Sequence, residues 1–139
     1  MIKTSIEDCN FPQLVQEARR SLENAYSPYS NYKVGAALLT SAGKIFTGCN
    51  VENGSYGATN CAERTAVFKA VSEGERSFSA IAIASEEGEA VPFPCGICRQ
   101  VLSEFCPPEM PVLIYDGNGS VYNAELGELI PYTFDFKME

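Results

Sequence analysis

Two short segments that contain cysteine constrain this chain more than any other feature. They are residues 60–64 (NCAER) and residues 94–100 (PCGICRQ). Apolar residues at helical spacing follow each segment, which predicts that both segments lie at helix N-termini. The macrodipole and the free N–H groups at such an end stabilise thiolates. Two such helices packed side by side on a sheet would bring the sulfurs to one metal ion.

The cysteines of these segments are candidate zinc ligands. Cys61, Cys95 and Cys98 are one ligand short of a closed zinc site. Three protein ligands and an open fourth position are the arrangement of catalytic zinc, in which water fills that position. Glu63 lies two residues after Cys61, so its carboxylate is a candidate base for that water.

Other interpretations of the same residues remain open from the sequence alone. Cys95 and Cys98 are also compatible with a redox pair or with half of a structural zinc site. Asn60 and Glu63 have the spacing of a capping box, with Asn60 as the N-cap and Glu63 at N3. Capping and catalysis do not exclude each other, so the position of the Glu63 side chain decides between them.

Taken together, the two segments resemble the zinc-dependent cytidine deaminases, whose signature combines a Cys-Ala-Glu type segment with a later Pro-Cys-x-x-Cys. The resemblance runs from about Tyr26 to Phe134. The chain has no histidine, so the implied ligand set is all thiolate, as in the small homotetrameric members. The resemblance implies one Zn²⁺ per chain, held by the three cysteines. It also implies that Glu63 moves the protons while cytidine or deoxycytidine is hydrolysed to uridine or deoxyuridine and ammonia, a reaction of pyrimidine salvage.

The resemblance also assigns substrate contacts. It places Asn50 and Glu52 on the 3′-hydroxyl of the sugar, within a ribose-binding segment that is otherwise readable as a polar surface loop. Tyr32 stands where the family usually has a phenylalanine against the base, and Lys33 stands where small or polar residues are common. The full set of implied substrate contacts is Tyr32, Asn50, Val51, Glu52, Asn53, Gly54, Ser55, Tyr56, Ala62 and Phe134.

Two arginines next to the motif cysteines are candidates for tuning the metal site. Arg64 lies three residues after Cys61 and can hydrogen-bond a ligand sulfur. Arg99 follows Cys98 directly and is a second candidate. Three thiolates and Zn²⁺ sum to −1, so the site needs compensating positive charge. For either arginine, a surface salt bridge is the alternative.

Composition limits the partners. The net charge is −8, from 10 basic and 18 acidic residues, which argues against a nucleic-acid polymer because binding to phosphates needs clusters of Lys and Arg. The expected substrate is therefore a free nucleoside or base. No apolar run approaches the ~20 residues of a membrane span. No signal peptide is visible, and scattered free thiols fit a reducing cytoplasm.

The order of predicted elements favours one α/β domain spanning residues 1–139. Helical spacing begins after Asn10, which is predicted to be an N-cap in a capping box with Gln13, and ends near Tyr26. Two strands, a helix, a strand, a helix, two strands and a short helix follow. Strand-helix-strand connections predict parallel pairing in the centre. The predicted architecture is a three-layer α/β/α sandwich with a mixed five-stranded sheet.

The resemblance further implies a homotetramer with shared active sites, in which Phe134 and Tyr56 reach the site of a neighbouring subunit. The aromatic tail, residues 132–136, can equally fold onto its own core. Two functional alternatives remain beside cytidine deamination. One is deamination of another small aminopyrimidine, such as a nucleoside antibiotic, and the other is a zinc-stabilised binding module without turnover.

Overall fold

The computed structural model describes residues 1–136. Its strands are β1 (Ile2–Ser5), β2 (Val34–Thr40), β3 (Ile45–Cys49), β4 (Phe78–Ser85), β5 (Pro111–Tyr115) and β6 (Ser120–Glu125). Its helices are α1 (Pro12–Ser21), α2 (Ala62–Ser72), α3 (Gly96–Phe105) and α4 (Leu126–Leu129). Within residues 1–136, no helix is long and apolar enough to cross a membrane.

The strands form one mixed sheet in the order β1-β6-β5-β4-β2-β3. The pair β4 and β5 is parallel, and the other pairs are antiparallel. The predicted parallel pairing in the centre is confirmed, since α3 crosses between β4 and β5. The prediction of five strands was wrong, because the described residues form six.

The additional strand is β1, at the edge of the sheet. It pairs with β6, with Ile2 opposite Asn123 and Ser5 opposite Ser120. The side-chain amide of Asn123 donates to the Ile2 carbonyl at 3.0 Å and to Thr4 Oγ1 at 2.9 Å. The strand is four residues long and has no apolar alternation, so it carries no local signal. Its formation depends on a partner more than a hundred residues away.

Helices cover both faces of the sheet. α1 packs on one face with Leu14, Val15 and Ala18 against small residues of β2 and β4. α2 and α3 pack on the other face, over a core that includes Leu38, Ile81 and Ile83. This is the predicted three-layer arrangement.

Two glycines let the helices approach the sheet closely. A Cβ on Gly35 would lie 2.2 Å from the carbonyl oxygen of Ala18 in α1. A Cβ on Gly48 would lie 2.4 Å from the carbonyl oxygen of Ala62. Only glycine at position 48 therefore allows the first turn of α2 to lie against β3, and this turn carries the candidate site.

The start and end of α1 differ from the prediction. Its N-cap is Phe11, without a side-chain hydrogen bond, and Pro12 is the first helical residue. The predicted capping box of Asn10 and Gln13 was therefore wrong, and Gln13 Nε2 donates instead to Glu17 at 3.2 Å. The helix ends at Ser21 and continues as one 3₁₀ turn, Leu22–Asn24.

Candidate active site

Both motif segments begin helices, as predicted. Cys61 is the N-cap of α2 and Cys95 is the N-cap of α3, each in an extended backbone conformation. The backbone N–H of Cys98 points at the Cys95 sulfur, with 3.5 Å between the two atoms. Each helix thus presents the positive end of its dipole to the sulfurs.

The three sulfurs converge. The Sγ atoms of Cys61, Cys95 and Cys98 all lie within 4.8 Å of one another, and those of Cys61 and Cys95 are 3.8 Å apart. Tetrahedral zinc with Zn–S bonds of about 2.3 Å places its sulfurs about 3.8 Å from each other. The cluster therefore fits a zinc ion, and a third sulfur beside Cys95 and Cys98 favours a metal site over a redox pair. It is the one such group of Cys, Asp or Glu within residues 1–136.

Positive charge lies beside the cluster. The guanidinium of Arg64 donates to the Cys61 sulfur at 3.3 Å, the contact predicted for this arginine. A hydrogen bond from Cys98, followed by those of Arg64, lowers the pKa of the Cys61 thiol to about 5. The same hydrogen bond to Cys61 raises the pKa of the Cys98 thiol. The Cys98 thiol and the Arg64 guanidinium thus favour the thiolate form of Cys61.

Arg99 does not reach the cluster. Its Nε donates to the Pro94 carbonyl at 2.7 Å and its Nη1 donates to the Leu129 carbonyl at 2.6 Å. The second arginine candidate was therefore wrong. Arg99 instead ties the start of α3 to the end of α4.

Glu63 lies in the first turn of α2 and is only 4% exposed. Because the N-cap is Cys61 and no side chain caps this helix, the capping box of Asn60 and Glu63 was wrong. Asn60 donates instead to Thr65 Oγ1 at 3.1 Å. Burial, reinforced by the charge of Cys61, raises the pKa of the Glu63 carboxyl to about 7. Glu63 thus places a buried carboxyl group with a raised pKa beside the cysteine cluster.

A cavity of about 450 Å³ opens above this cluster. It is lined by Ser30, Tyr32, Val34, Asn50, Glu52, Thr59, Asn60, Cys61, Ala62, Glu63, Ala90, Val91, Pro92, Phe93 and Cys95. Four of the predicted substrate contacts are among these residues, namely Tyr32, Asn50, Glu52 and Ala62. The cavity thus joins the motif residues to residues far from them in sequence.

Asn50 and Glu52 are held firmly at this cavity. Asn50 Oδ1 accepts from the Val34 amide at 3.0 Å, and Asn50 Nδ2 donates to the Tyr32 carbonyl at 2.7 Å. Glu52 Oε1 accepts from the amides of Tyr29 and Ser30 at 2.9 and 3.1 Å, and the Ser30 hydroxyl donates to Oε2. The hydrogen bond from the Ser30 hydroxyl lowers the pKa of Glu52, and the two amide hydrogen bonds add to this effect. Burial acts in the opposite direction but is outweighed.

Six predicted substrate contacts do not line this cavity: Val51, Asn53, Gly54, Ser55, Tyr56 and Phe134. The backbone of Val51 pairs with Asn60. The ring of Tyr56 is 76% exposed and packs edge-on against Tyr29, with 5.9 Å between ring centroids. Phe134 is 71% exposed and lines a separate cavity of about 470 Å³ beside α3 and α4. Within one chain, neither aromatic ring reaches the sulfur cluster.

The structure adds cavity residues that the motifs did not identify. The largest group is residues 90–93, which lie in the loop between β4 and α3 and form one wall. A sequence signal existed, since this loop leads directly into Cys95. Ser30 was also missed, because its role depends on its contact with Glu52.

Residues 10–114 match the family model described as "Cytidine and deoxycytidylate deaminase zinc-binding region". A cytidine deaminase of Sporosarcina psychrophila is 48% identical over 122 residues, which are 88% of this chain and 89% of that protein. A cytidine deaminase of Halalkalibacterium halodurans is 49% identical over 121 residues, 87% of this chain and 91% of that protein. The solved cytidine deaminase of Burkholderia pseudomallei superposes with a TM-score of 0.85 at 47% identity, covering 91% of this chain and all of that one.

Proposed function

Because this chain belongs to the zinc-dependent cytidine and deoxycytidylate deaminase family, we propose that it hydrolyses the C4 amino group of free cytidine and deoxycytidine. The products are uridine or deoxyuridine and ammonia. One observation carries this proposal. The buried carboxyl group of Glu63 lines one cavity together with Cys61, Cys95, Asn50 and Glu52. The sulfurs of Cys61 and Cys95 converge there with that of Cys98.

The metal ligands in this proposal are Cys61, Cys95 and Cys98. Zinc held by these thiolates supplies a Lewis acid that lowers the pKa of water in the cavity. Arg64 and the starts of α2 and α3 offset the negative charge of the three thiolates, through the hydrogen bond to Cys61 and the helix dipoles. They keep the sulfurs ionised and oriented.

Glu63 is the proposed proton carrier. It takes a proton from the attacking water and delivers it to N3 of the pyrimidine, while the water oxygen bonds to C4. Glu63 then transfers the proton of the new C4 hydroxyl to the amino group, the C4–N bond breaks, and ammonia leaves as the C4 carbonyl forms. The chain has no histidine, and of the two carboxylates that line the cavity, Glu63 is the one two residues from Cys61. Its burial excludes bulk water from these transfers.

Asn50 and Glu52 are the proposed contacts to the sugar. A carboxylate that is ionised and fixed by three donors can accept a hydrogen bond from a ribose hydroxyl. Such a site disfavours analogues that lack the hydroxyl, because their binding does not form this hydrogen bond. The cavity, at about 450 Å³, has the size of a small-molecule site. With the net charge of −8, these features favour a free nucleoside over a polymer.

We also infer that the active enzyme is a homotetramer with shared sites, located in the cytoplasm. The support is the exposure of Tyr56 and of the tail rings Phe134 and Phe136, at 76%, 71% and 72%. Exposed aromatic rings of this kind favour an interface. In this proposal Tyr56 and Phe134 complete the site of a neighbouring subunit. All six cysteines are free thiols, which fits a reducing compartment.

The direct test of the function is an ultraviolet assay with purified, zinc-loaded protein and cytidine. The expected result is a loss of cytidine absorbance with stoichiometric release of ammonia, and the same result with deoxycytidine. Cytosine without sugar serves as the control, since it offers nothing to Asn50 and Glu52. Zinc-loaded protein that turns over neither nucleoside would overturn the proposal and favour a binding module.

A further inference from the structure

The loop between β4 and α3, here called the wall loop and defined as residues 86–93, controls one side of the cavity. Residues 90–93 form the wall itself. The chain then passes through Pro94 into Cys95. A shift of the wall loop would therefore change the shape of the cavity and the approach of the chain to one of the sulfurs.

Few hydrogen bonds of its own hold the wall loop. The amide of Glu89 donates to the Glu86 carbonyl at 3.3 Å, and the amide of Phe93 donates to the Val91 carbonyl at 2.9 Å. Both are local turns, and neither ties the loop to the sheet. Side-chain contacts therefore decide where the loop lies. Its own Val91 packs against the core under α2, and Phe93 packs against Tyr122 with 5.5 Å between ring centroids.

Two adjacent residues that precede β2 supply such contacts. The hydroxyl of Tyr32 donates to the Ala90 carbonyl at 2.7 Å. Lys33 Nζ lies 3.9 Å from Glu86 Oε1. The Lys33 contact is at Glu86, the first residue of the wall loop, and the Tyr32 contact is at Ala90, the first of the four loop residues that line the cavity. The Ala90 carbonyl also accepts a longer bond, 3.2 Å, from the Ser85 hydroxyl.

Tyr32 itself is well anchored. Its ring is half-buried and packs against the hydrophobic core under α2, and its amide donates to Ser30 Oγ at 3.0 Å. The Asn50 side chain binds its carbonyl. Tyr32, which lines the cavity and is held at its amide and its carbonyl, thus carries the hydroxyl that contacts the wall loop.

We propose that the Tyr32 hydroxyl, together with Lys33, fixes the wall loop in its cavity-forming position, so that Tyr32 is a positioning residue for substrate binding. The inference rests on the proposed function, since the nucleoside is what the wall contacts. Without the hydroxyl, the loop leaves this position more often. The nucleoside then binds only the fraction of molecules in which the wall loop is in its cavity-forming position, and this lowers the apparent affinity for the nucleoside.

The test is Tyr32→Phe, which keeps the ring and removes the hydroxyl. We expect amide hydrogen exchange in residues 87–93 of the zinc-loaded protein to accelerate about threefold to tenfold, the factor of one hydrogen bond. We expect KM for cytidine to rise by a similar factor and kcat to fall by less. Tyr26→Phe is the matched control, because its ring is 56% exposed and does not line the cavity.

A charge swap tests the second contact. Lys33→Glu and Glu86→Lys should each accelerate exchange in the wall loop by a smaller factor, since the pair is exposed. The double variant should restore the slower exchange.

Amide exchange tests the contacts of the wall loop, and cytidine turnover tests the proposed function. If the wild-type protein does not deaminate cytidine, the proposed function fails, while the exchange rates still decide the contact. Unchanged exchange in Tyr32→Phe, or faster exchange without a rise in KM, would overturn the positioning role.

Discussion

The carboxylate of Glu52 accepts two hydrogen bonds from Ser30, one from its amide N–H at 3.1 Å and one from its hydroxyl. The Tyr29 amide adds a third at 2.9 Å. These donors stabilise the charged form of Glu52 and lower its pKa. The residues that precede β2 therefore hold a fixed carboxylate at the cavity that Cys61 and Glu63 also line.

We predict that Ser30→Ala raises KM for cytidine about threefold to tenfold, because Glu52 loses one donor. The pKa of Glu52 is lower in the folded protein than in the unfolded chain. The stabilisation from its charged form is therefore fully present above the unfolded-state pKa and is lost as pH falls through the folded-state pKa. Removing the hydroxyl raises that pKa. The acid-side rise of KM should then begin at higher pH than in wild type. Ser72→Ala, on the exposed end of α2, is the control. Identical pH profiles of KM for Ser30→Ala and wild type would contradict the role of Ser30 in stabilising the Glu52 carboxylate.

The zinc ligands can be tested one at a time. Elemental analysis should find one zinc per wild-type chain and none in Cys61→Ala, Cys95→Ala or Cys98→Ala. Alanine at Cys9, Cys49 or Cys106 should leave zinc in place. Cys106 illustrates the contrast, since within residues 1–136 it belongs to no group of three potential metal ligands. Full zinc retention in Cys98→Ala would rule out this ligand set.

Much of the fold was predictable from the sequence. Continuous apolar runs predicted β2 and β4, and the residues after each cysteine segment predicted α2 and α3. The edge strand β1 was not predictable, because its four residues lack a pattern and are held by Asn123 of a distant strand. The N-cap of α1 was misplaced by one residue, since Pro12 starts the helix without any side-chain cap.

The residues of the candidate site also include some that were predictable from the sequence and some that were not. The cysteines and Glu63 followed from local spacing, because α2 and α3 begin at the motif segments. The wall-loop residues and Ser30 did not, because they join the cavity only through contacts across the fold. Arg64 was the first candidate from the sequence and Arg99 the second, because both lie close to motif cysteines. The helix geometry directs Arg64 to the Cys61 sulfur and Arg99 to the Leu129 carbonyl.

Arg64→Gln should lower kcat/KM about tenfold to a hundredfold, the usual effect of removing a partner of a metal ligand. Its guanidinium donates to the Cys61 sulfur and offsets the thiolate charge. We expect weaker zinc retention under a competing chelator in the same variant. Arg20→Gln, on the exposed face of α1, is the matched control. Wild-type zinc retention together with wild-type activity would return Arg64 to the role of a surface residue.

Shared active sites would couple activity to association. Truncation after Pro131 removes the tail that contains Phe134 and should raise KM while zinc content stays at one per chain. Sedimentation and specific activity of the full-length protein should fall together on dilution. A stable monomer with full cytidine deaminase activity would exclude the shared-site arrangement.

The central claim is that Glu63 carries the protons of a zinc-dependent deamination. Glu63→Gln preserves the shape of a side chain that is 4% exposed and removes its ability to exchange protons. The decisive measurement is the rate of cytidine turnover by zinc-loaded Glu63→Gln, with zinc content and circular dichroism recorded on the same sample. We predict one zinc per chain, a wild-type spectrum and a loss of turnover of at least about a hundredfold. Wild-type turnover by the zinc-loaded variant would contradict the account.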